Sequence, residues 1–164
     1  MSSGGASVEC VNDPTEPNVA DAINAMHAGT WAGTMGLELL HATRDEVVGE
    51  LVVQPHHRQP HGIVHGGVYS SVIESLASIG AALDAMRHGR TVVGLENHTS
   101  FVRAVREGVL RATARPLTRG RRSQAWEVTI VDGAGALVAT GRVRLLVLEP
   151  DATVAGAEIG SKPA

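Results

Sequence analysis

One long segment without basic residues constrains the fold of this chain more than any other feature. From Gly66 to Met86 there is no Lys or Arg, and the only acidic residues are Glu74 and Asp84. Apolar side chains recur through it at helical spacing, which predicts a helix over residues 67–86 with most of its surface covered. The basic residues and glycine at 87–90 are typical of a helix end. The apolar set comprises Val68, Val72, Ile73, Leu76, Ile79 and Leu83.

Strand-like segments flank this helix on both sides. Alternating or β-branched residues predict strands over 33–41 and 47–53 before it, and over 91–101, 109–117, 123–131 and 137–148 after it. A short helix is predicted over residues 19–27, and Asp132-Gly133 marks a hairpin between the last two strands. One apolar helix and five or six antiparallel strands bury each other best when the sheet curls around the helix. The sequence therefore predicts an α+β fold with one long central helix.

Length and composition indicate a single domain. The chain has 164 residues and a mass of 17.1 kDa, which is large enough to form its own core. We expect that domain over residues 19–150, a flexible Ser/Gly/Pro-rich segment over 1–18, and a flexible tail of small residues over 151–164.

Charge, aromatic content and cysteine usage disfavour several classes of function. The formal net charge is −3 and aromatic residues make up 2% of the chain, so we expect neither nucleic-acid nor membrane partners. Cys10 is the single cysteine, which rules out an intrachain disulfide. Residues 1–7 lack the basic and apolar regions of a secretory signal. We therefore expect a cytoplasmic location.

The carboxylate of Glu74 is the first candidate for chemistry. A carboxylate within so apolar a segment is expected to lie where water is scarce, and an unpaired buried carboxylate is costly. It is therefore a candidate nucleophile or general base. The alternative is a carboxylate that is hydrogen-bonded to a neighbour for structural reasons alone.

Gly66 and Gly67 lie where a turn becomes the long helix. Backbone N–H groups in a first helical turn have no internal partner, and the helix dipole there favours negative charge. Such an end can stabilise an oxyanion that develops on a carbonyl. The alternative is that the two glycines only permit a tight turn.

Several sequence blocks, in this order and spacing, carry a family resemblance. They are Gly62-Ile63-Val64-His65-Gly66-Gly67, Ile73-Glu74-Ser75, Val92-Val93-Gly94-Leu95-Glu96, Phe101-Val102-Arg103, Arg106-Glu107-Gly108 and Pro116-Leu117-Thr118-Arg119-Gly120-Arg121-Arg122. Over residues 35–149 the chain resembles the hotdog-fold acyl-CoA thioesterases. The nearest likeness is to those that act on phenylacetyl-, 4-hydroxybenzoyl- and 1,4-dihydroxy-2-naphthoyl-CoA. The resemblance implies hydrolysis of an acyl-CoA, with CoA as part of the substrate and no separate cofactor.

The resemblance also implies roles for individual residues. Glu74 corresponds to the family's nucleophile or base, and Gly66 to its carbonyl-polarising amide. Gln59 would orient the carbonyl or a water, Ser78 would hold Glu74 or a water, and His65 would have a positional role. The implied CoA-binding residues are Val93, Ser100, Phe101, Val102, Arg103, Gly120, Arg121 and Arg122, and Arg119 is a further arginine suited to phosphate.

The spacing of the two candidate catalytic groups bears on quaternary structure. Gly66 and Glu74 are eight residues apart, which is about 12 Å along a helix. One carbonyl cannot touch both groups of a single chain, so their joint action requires at least a homodimer. The resemblance implies active sites across such an interface and a homotetramer built as a dimer of dimers.

Three other interpretations stay open or are disfavoured at this point. A metal site is disfavoured because His61 and His65 pair as ligands only on a helix, which Pro60 and Gly62 oppose. A hotdog-fold dehydratase or hydratase would require a histidine and acid pair set up for β-elimination. A non-catalytic acyl-CoA sensor would bind CoA esters without turnover.

Overall fold

The computed structural model describes residues 16–158. Two short helices, α1 (Ala20–Ala25) and α2 (Trp31–Thr34), precede the strands β1 (Leu37–Ala42) and β2 (Val47–Val52). A 3-10 turn (Pro55–His57) leads to the long helix α3 (Gly66–Met86). The remaining elements are β3 (Thr91–Phe101), β4 (Val109–Arg119), β5 (Ser123–Val131), β6 (Leu137–Leu148), β7 (Thr153–Val154) and β8 (Ala157–Glu158).

Six strands form one antiparallel sheet, and α3 packs against it. The strand order is β1-β2-β4-β5-β6-β3, so β4, β5 and β6 form a meander. Helix α3 contacts all six strands. The predicted α+β architecture is thereby confirmed, with six strands in the sheet. The β5–β6 turn is held by Asp132, whose Oδ1 accepts from the N–H groups of Ala134 (3.0 Å) and Ala136 (2.9 Å).

The core lies between α3 and the sheet. Of the apolar set predicted from periodicity, Val72, Ile73 and Leu76 are buried, and the other three are partly buried. Small residues also belong to the buried face and let the sheet approach closely. A Cβ on Gly80 would come within 2.3 Å of the indole of Trp126, so this buried ring occupies the space that a side chain would need.

Most predicted element bounds are correct, and one strand start is wrong. Strands β3, β5 and β6 have the predicted bounds, and α3 begins one residue earlier than predicted. The first strand was predicted from Gly33 but begins at Leu37. The Thr30 side chain accepts from the Gly33 N–H at 3.4 Å and caps α2, and Gly36 then turns the chain with φ 72°.

Strand β3 forms one edge of the sheet and is largely exposed. It pairs with β6 on one side, and within residues 16–158 no strand pairs with its other side. The predicted flexible segment at 1–18 lies almost wholly outside the described residues. In the predicted tail, β7 and β8 pair as a small hairpin.

Candidate functional site

The start of α3 presents one free backbone donor. His65 is the N-cap, and its Nδ1 accepts a hydrogen bond from the Gly67 N–H at 2.9 Å. The Val68 N–H donates to the His65 carbonyl, also at 2.9 Å. Within the described part of the chain the Gly66 N–H has no acceptor. The helix start therefore offers a single N–H, at its positive end, to an incoming oxygen.

A depression of about 350 Å³ opens beside this donor. It gathers five residues that the sequence interpretation singled out: Gln59, Gly66, Phe101, Val102 and Arg103. The ring of Phe101 is 60% exposed and lies over Gly66, where an added Cβ would come within 2.7 Å of Cζ. The space beside Gly66 is thus taken by the Phe101 ring, which a side chain at this position would have to displace. Ser100 precedes this group on β3 and is exposed.

The loop that carries Gln59 is tied down by a residue given no role in the sequence interpretation. The Gln59 N–H donates to the Ile63 carbonyl at 2.9 Å, and Gly62 turns the loop with φ 76°. The Arg106 guanidinium donates to the His61 carbonyl at 3.0 Å. Arg106 is part of the Arg-Glu-Gly block of the resemblance, and its role here is to hold the loop.

Glu74 lies two turns further along α3, against β3. Its Oε2 accepts from Asn97 Nδ2 at 2.9 Å, and Ser78 Oγ donates to Oε1 at 3.5 Å, the limit of a hydrogen bond. The expected contact with Ser78 is therefore present. The expectation that water is scarce around Glu74 is wrong for the single chain, because its side chain is partly exposed and the facing part of β3 is open.

Sequence reasoning missed Asn97 and the role of Gly94. A Cβ on Gly94 would come within 2.5 Å of Glu74 Oε1, so both residues face the same carboxylate. They are three apart, whereas residues on one face of a regular strand are two or four apart. The register shift between Gly94 and Glu96 accounts for this spacing. Val93, the adjacent candidate contact for CoA, is partly buried.

The basic turn after β4 lies at the other end of α3. Gly120 and Arg121 line a second depression of about 320 Å³ together with Asp84, near the end of the helix. Arg121 and Arg122 are exposed, and Arg121 lies 3.7 Å from Glu149. Arg119 differs from them because it pairs with Asp45 and lies 3.9 Å from Asp84. Its guanidinium thus makes contacts within the fold, although Arg119 lines the same depression, and its expected contact with phosphate stays a prediction.

Two buried polar groups lie near the helix start. His57 Nδ1 accepts from the Gln54 N–H at 3.0 Å, while Nε2 has no partner among residues 16–158. Burial lowers the pKa of His57, the neighbouring His56 adds to the lowering, and the Met35 backbone opposes it. Burial also raises the pKa of Tyr69, which lines the first depression. Among residues 16–158 no three His, Cys, Asp or Glu side chains cluster as metal ligands.

Comparison with known proteins gives consistent matches. The model of the thioesterase superfamily matches residues 61–139. Rv1847 of Mycobacterium tuberculosis, named as a candidate esterase, is 45% identical over 117 residues, which cover 70% of this chain and 84% of that protein. The 1,4-dihydroxy-2-naphthoyl-CoA hydrolase of Escherichia coli is 33% identical over 128 residues, covering 78% and 93%.

Solved structures agree with the sequence matches. The thioesterase HI1161 of Haemophilus influenzae superposes with a TM-score of 0.75 at 29% identity, covering 79% of this chain and 90% of that one. Within residues 16–158 no helix is long and apolar enough to cross a membrane.

Proposed function

This chain belongs to the thioesterase superfamily, and we propose that it hydrolyses acyl-CoA thioesters to a free acid and CoA. Its hotdog fold and its assignment as a thioester hydrolase agree with the resemblance in the sequence. The observation that carries the proposal is the Gly66 N–H, without an acceptor among the described residues, at the start of the helix that also carries Glu74. The other acid of this helix, Asp84, accepts a hydrogen bond from Gln124 and lies near Arg119.

In the proposed reaction the thioester carbonyl oxygen accepts a hydrogen bond from the Gly66 N–H. As the carbonyl carbon becomes tetrahedral, its oxygen gains negative charge at the positive end of α3. Glu74 either attacks that carbon to give an anhydride, which water then hydrolyses, or takes a proton from the attacking water. In both routes the carbon–sulfur bond breaks and CoA leaves as the thiolate. Gln59 lies beside Gly66 and is suited to orient the carbonyl or the water.

The Gly66 N–H and the Glu74 carboxylate that act on one carbonyl must come from different subunits, which supports a homodimer. They are eight residues apart on one straight element, about 12 Å along its axis. The unpaired outer edge of β3 supports the same proposal, since a long exposed edge strand readily pairs with another strand. Exposed Leu95 on β3 would be covered by a second copy. The dimer of dimers is an extension of this proposal that depends on the family resemblance.

The proposed CoA-binding residues lie near opposite ends of α3, which supports a site shared between two chains. Phe101, Val102 and Arg103 lie at the start of α3, whereas Gly120 and Arg121 lie beside Asp84. Gly66 and Asp84 are 18 residues apart, about 27 Å along the helix. We propose that the β3 end of one subunit holds the pantetheine side of CoA and that Arg121 and Arg122 of another meet its phosphates.

The acyl group is proposed to be aromatic or of medium chain length. The aromatic alternative is supported by the name of the Escherichia coli relative and by the resemblance. The location is proposed to be the cytoplasm, in keeping with a chain that has one cysteine. Release of CoA from the substrate separates this function from a hydratase, which would act on crotonyl thioesters without releasing CoA, and from a sensor.

The first experiment measures thiol release from a panel of aryl- and fatty-acyl-CoA esters. We expect turnover by the wild type and a loss of about a hundredfold or more in Glu74→Ala. Glu127→Gln removes an exposed carboxylate on β5 and serves as the matched control, with an unchanged rate. A wild type that is inert across the panel, or a fully active Glu74→Ala, contradicts the proposal.

A second experiment tests whether each site is shared between subunits. Gly66→Pro removes the N–H at the first helical position, where proline is tolerated. Gly66→Ala is its control, because it adds a Cβ and keeps the N–H. Mixing inactive Gly66→Pro and Glu74→Ala chains should restore about a quarter of the wild-type rate. Half of the dimers are then mixed, and each mixed dimer has one intact site. No recovery after subunit exchange would place both groups in one chain.

A further inference from the structure

The side chain of Asn97 is held by three hydrogen bonds around the Glu74 carboxylate. Its Nδ2 group donates to Glu74 Oε2 at 2.9 Å and to the Ser70 carbonyl at 3.0 Å. Its Oδ1 accepts from Thr99 Oγ1 at 2.8 Å. Both protons of the amide have acceptors and its oxygen has a donor, so the orientation of the amide group is fixed.

The two oxygens of Glu74 have different surroundings. Oε2 is occupied by Asn97, whereas Oε1 lies over Gly94, where a Cβ would approach to 2.5 Å. The one side chain that donates to Oε1 within the described residues is Ser78, at 3.5 Å. One oxygen of the carboxylate is thus bound to Asn97, and the other has only the weak contact with Ser78 and occupies the space beside Gly94.

The hydrogen bonds of Asn97 are poorly explained by a contribution to the stability of the fold. In the single chain Asn97 is exposed and Thr99 is partly exposed, and a side-chain hydrogen bond at such a position exchanges for water at little net gain. Fixing a glutamate and an asparagine side chain also costs rotamer entropy. In contrast, a catalytic carboxylate gains directly from being held in one orientation, because small displacements from the reacting geometry are costly in rate.

We propose that Asn97 is a positioning residue that binds Oε2 of Glu74 and so presents Oε1 to the thioester carbon or to the attacking water. Thr99 orients Asn97, and Gly94 leaves the room that Oε1 needs. This inference rests on the proposed function of Glu74. It extends that function by assigning the reacting oxygen and by naming the residue that selects it.

The test compares three variants for thiol release at saturating and limiting acyl-CoA. Asn97→Ala should lower kcat by about tenfold to a hundredfold and leave KM within about twofold, because substrate binding is untouched. Asn97→Asp has the same shape but cannot donate, and it places a second carboxylate beside Glu74. In Asn97→Asp the acid limb of the kcat–pH profile should move to higher pH, since neighbouring carboxylates do not both ionise readily.

Thr129→Ala is the matched control, since Thr129 is an exposed polar residue on β5, away from the β3 edge proposed for the dimer. It should leave kcat and the pH profile unchanged. A kcat of Asn97→Ala within about threefold of the wild type, or an unshifted profile for Asn97→Asp, overturns the inference. A fully active Glu74→Ala overturns the proposed function instead, so the two failures are distinguishable.

A double-mutant cycle excludes a purely structural role. If Asn97 acts through Glu74, Asn97→Ala should have almost no further effect on the residual rate in a Glu74→Gln background. Equal losses of rate in the two backgrounds would show that Asn97 acts on the fold and not on the carboxylate, and would overturn the inference.

Discussion

The Nδ1 atom of His65 accepts a hydrogen bond from the Gly67 N–H at 2.9 Å, and so the imidazole caps the helix that carries the proposed oxyanion donor. This contact agrees with the positional role that the family resemblance implied for His65. The contact also makes two amides of the first turn differ, because the Gly67 N–H has an acceptor and the Gly66 N–H is left for a ligand.

Replacing the cap should affect stability more than chemistry. His65→Ala loses the acceptor and should lower the free energy of unfolding by about 1 kcal/mol, measured by urea denaturation. His65→Asn restores a good N-cap and should recover most of that loss. Both variants should keep thiol release within about tenfold of the wild type. A stable but inactive His65→Asn would show that the imidazole takes part in the reaction.

The contact between Gly66 and Phe101 predicts that Gly66→Ala affects stability differently in two backgrounds. In the wild type, Gly66→Ala forces its Cβ against the ring at 2.7 Å and should lower stability or leave it unchanged. In a Phe101→Ala background the same substitution has room. It should then raise the free energy of unfolding by about 0.5 kcal/mol, because alanine restricts the unfolded chain. The two urea midpoints check this, and equal effects in both backgrounds would contradict the contact.

Much of the fold could be predicted because it depends on local periodicity. The bounds of β3, β5 and β6 follow from strand-forming runs with turn residues beside them, such as Gly89 before β3, Asp132-Gly133 after β5 and Pro150 after β6. The start of β1 could not be predicted in this way, since Thr30 and Gly36 build a short helix and a turn from residues that also suit a strand. The local preference of residues 30–36 for helix or strand is weak, and the packing of the folded chain determines which one they form.

The candidate site was predictable only where one segment carries it. Gly66 and Glu74 are visible because both belong to α3. Asn97 meets Glu74 through a bulge in β3, and alternation read along the sequence places it on the wrong face. The pairing of Arg119 with Asp45 joins residues 74 apart in sequence, which no spacing rule indicates. Contacts between distant segments are therefore the part that needed the structure.

Removing the hydroxyl of Tyr69 should stabilise the protein. The side chain is 3% exposed, and its hydroxyl has no hydrogen-bond partner among residues 16–158. An unsatisfied buried hydroxyl costs about 1 kcal/mol or more. Tyr69→Phe should therefore raise Tm by about 2–4 °C in a thermal unfolding scan. An unchanged or lower Tm would mean that the hydroxyl has a partner in solution.

Trp126→Phe provides the contrast for that measurement. The Trp126 Nε1–H donates to Gln124 Oε1 at 2.9 Å, so this buried polar group is satisfied. Its removal leaves the amide of Gln124 without a donor and opens space beside Gly80. Trp126→Phe should therefore lower Tm. If Tyr69→Phe raises Tm and Trp126→Phe lowers it, the changes in Tm follow from hydrogen bonding and packing and not from the loss of a polar group.

The buried imidazole of His57 should make stability depend on pH. Its pKa in the folded protein lies below the ordinary value of 6.5, chiefly because it is buried, so the unfolded chain binds the proton more readily. Its contribution to stability is therefore complete above about pH 6.5 and is lost as the pH falls through the lowered value. Urea denaturation across this range should show a decline that is smaller in His57→Gln. His88→Asn, an exposed control, should keep the wild-type slope, and an equal decline in His57→Gln would assign the pH dependence to other groups.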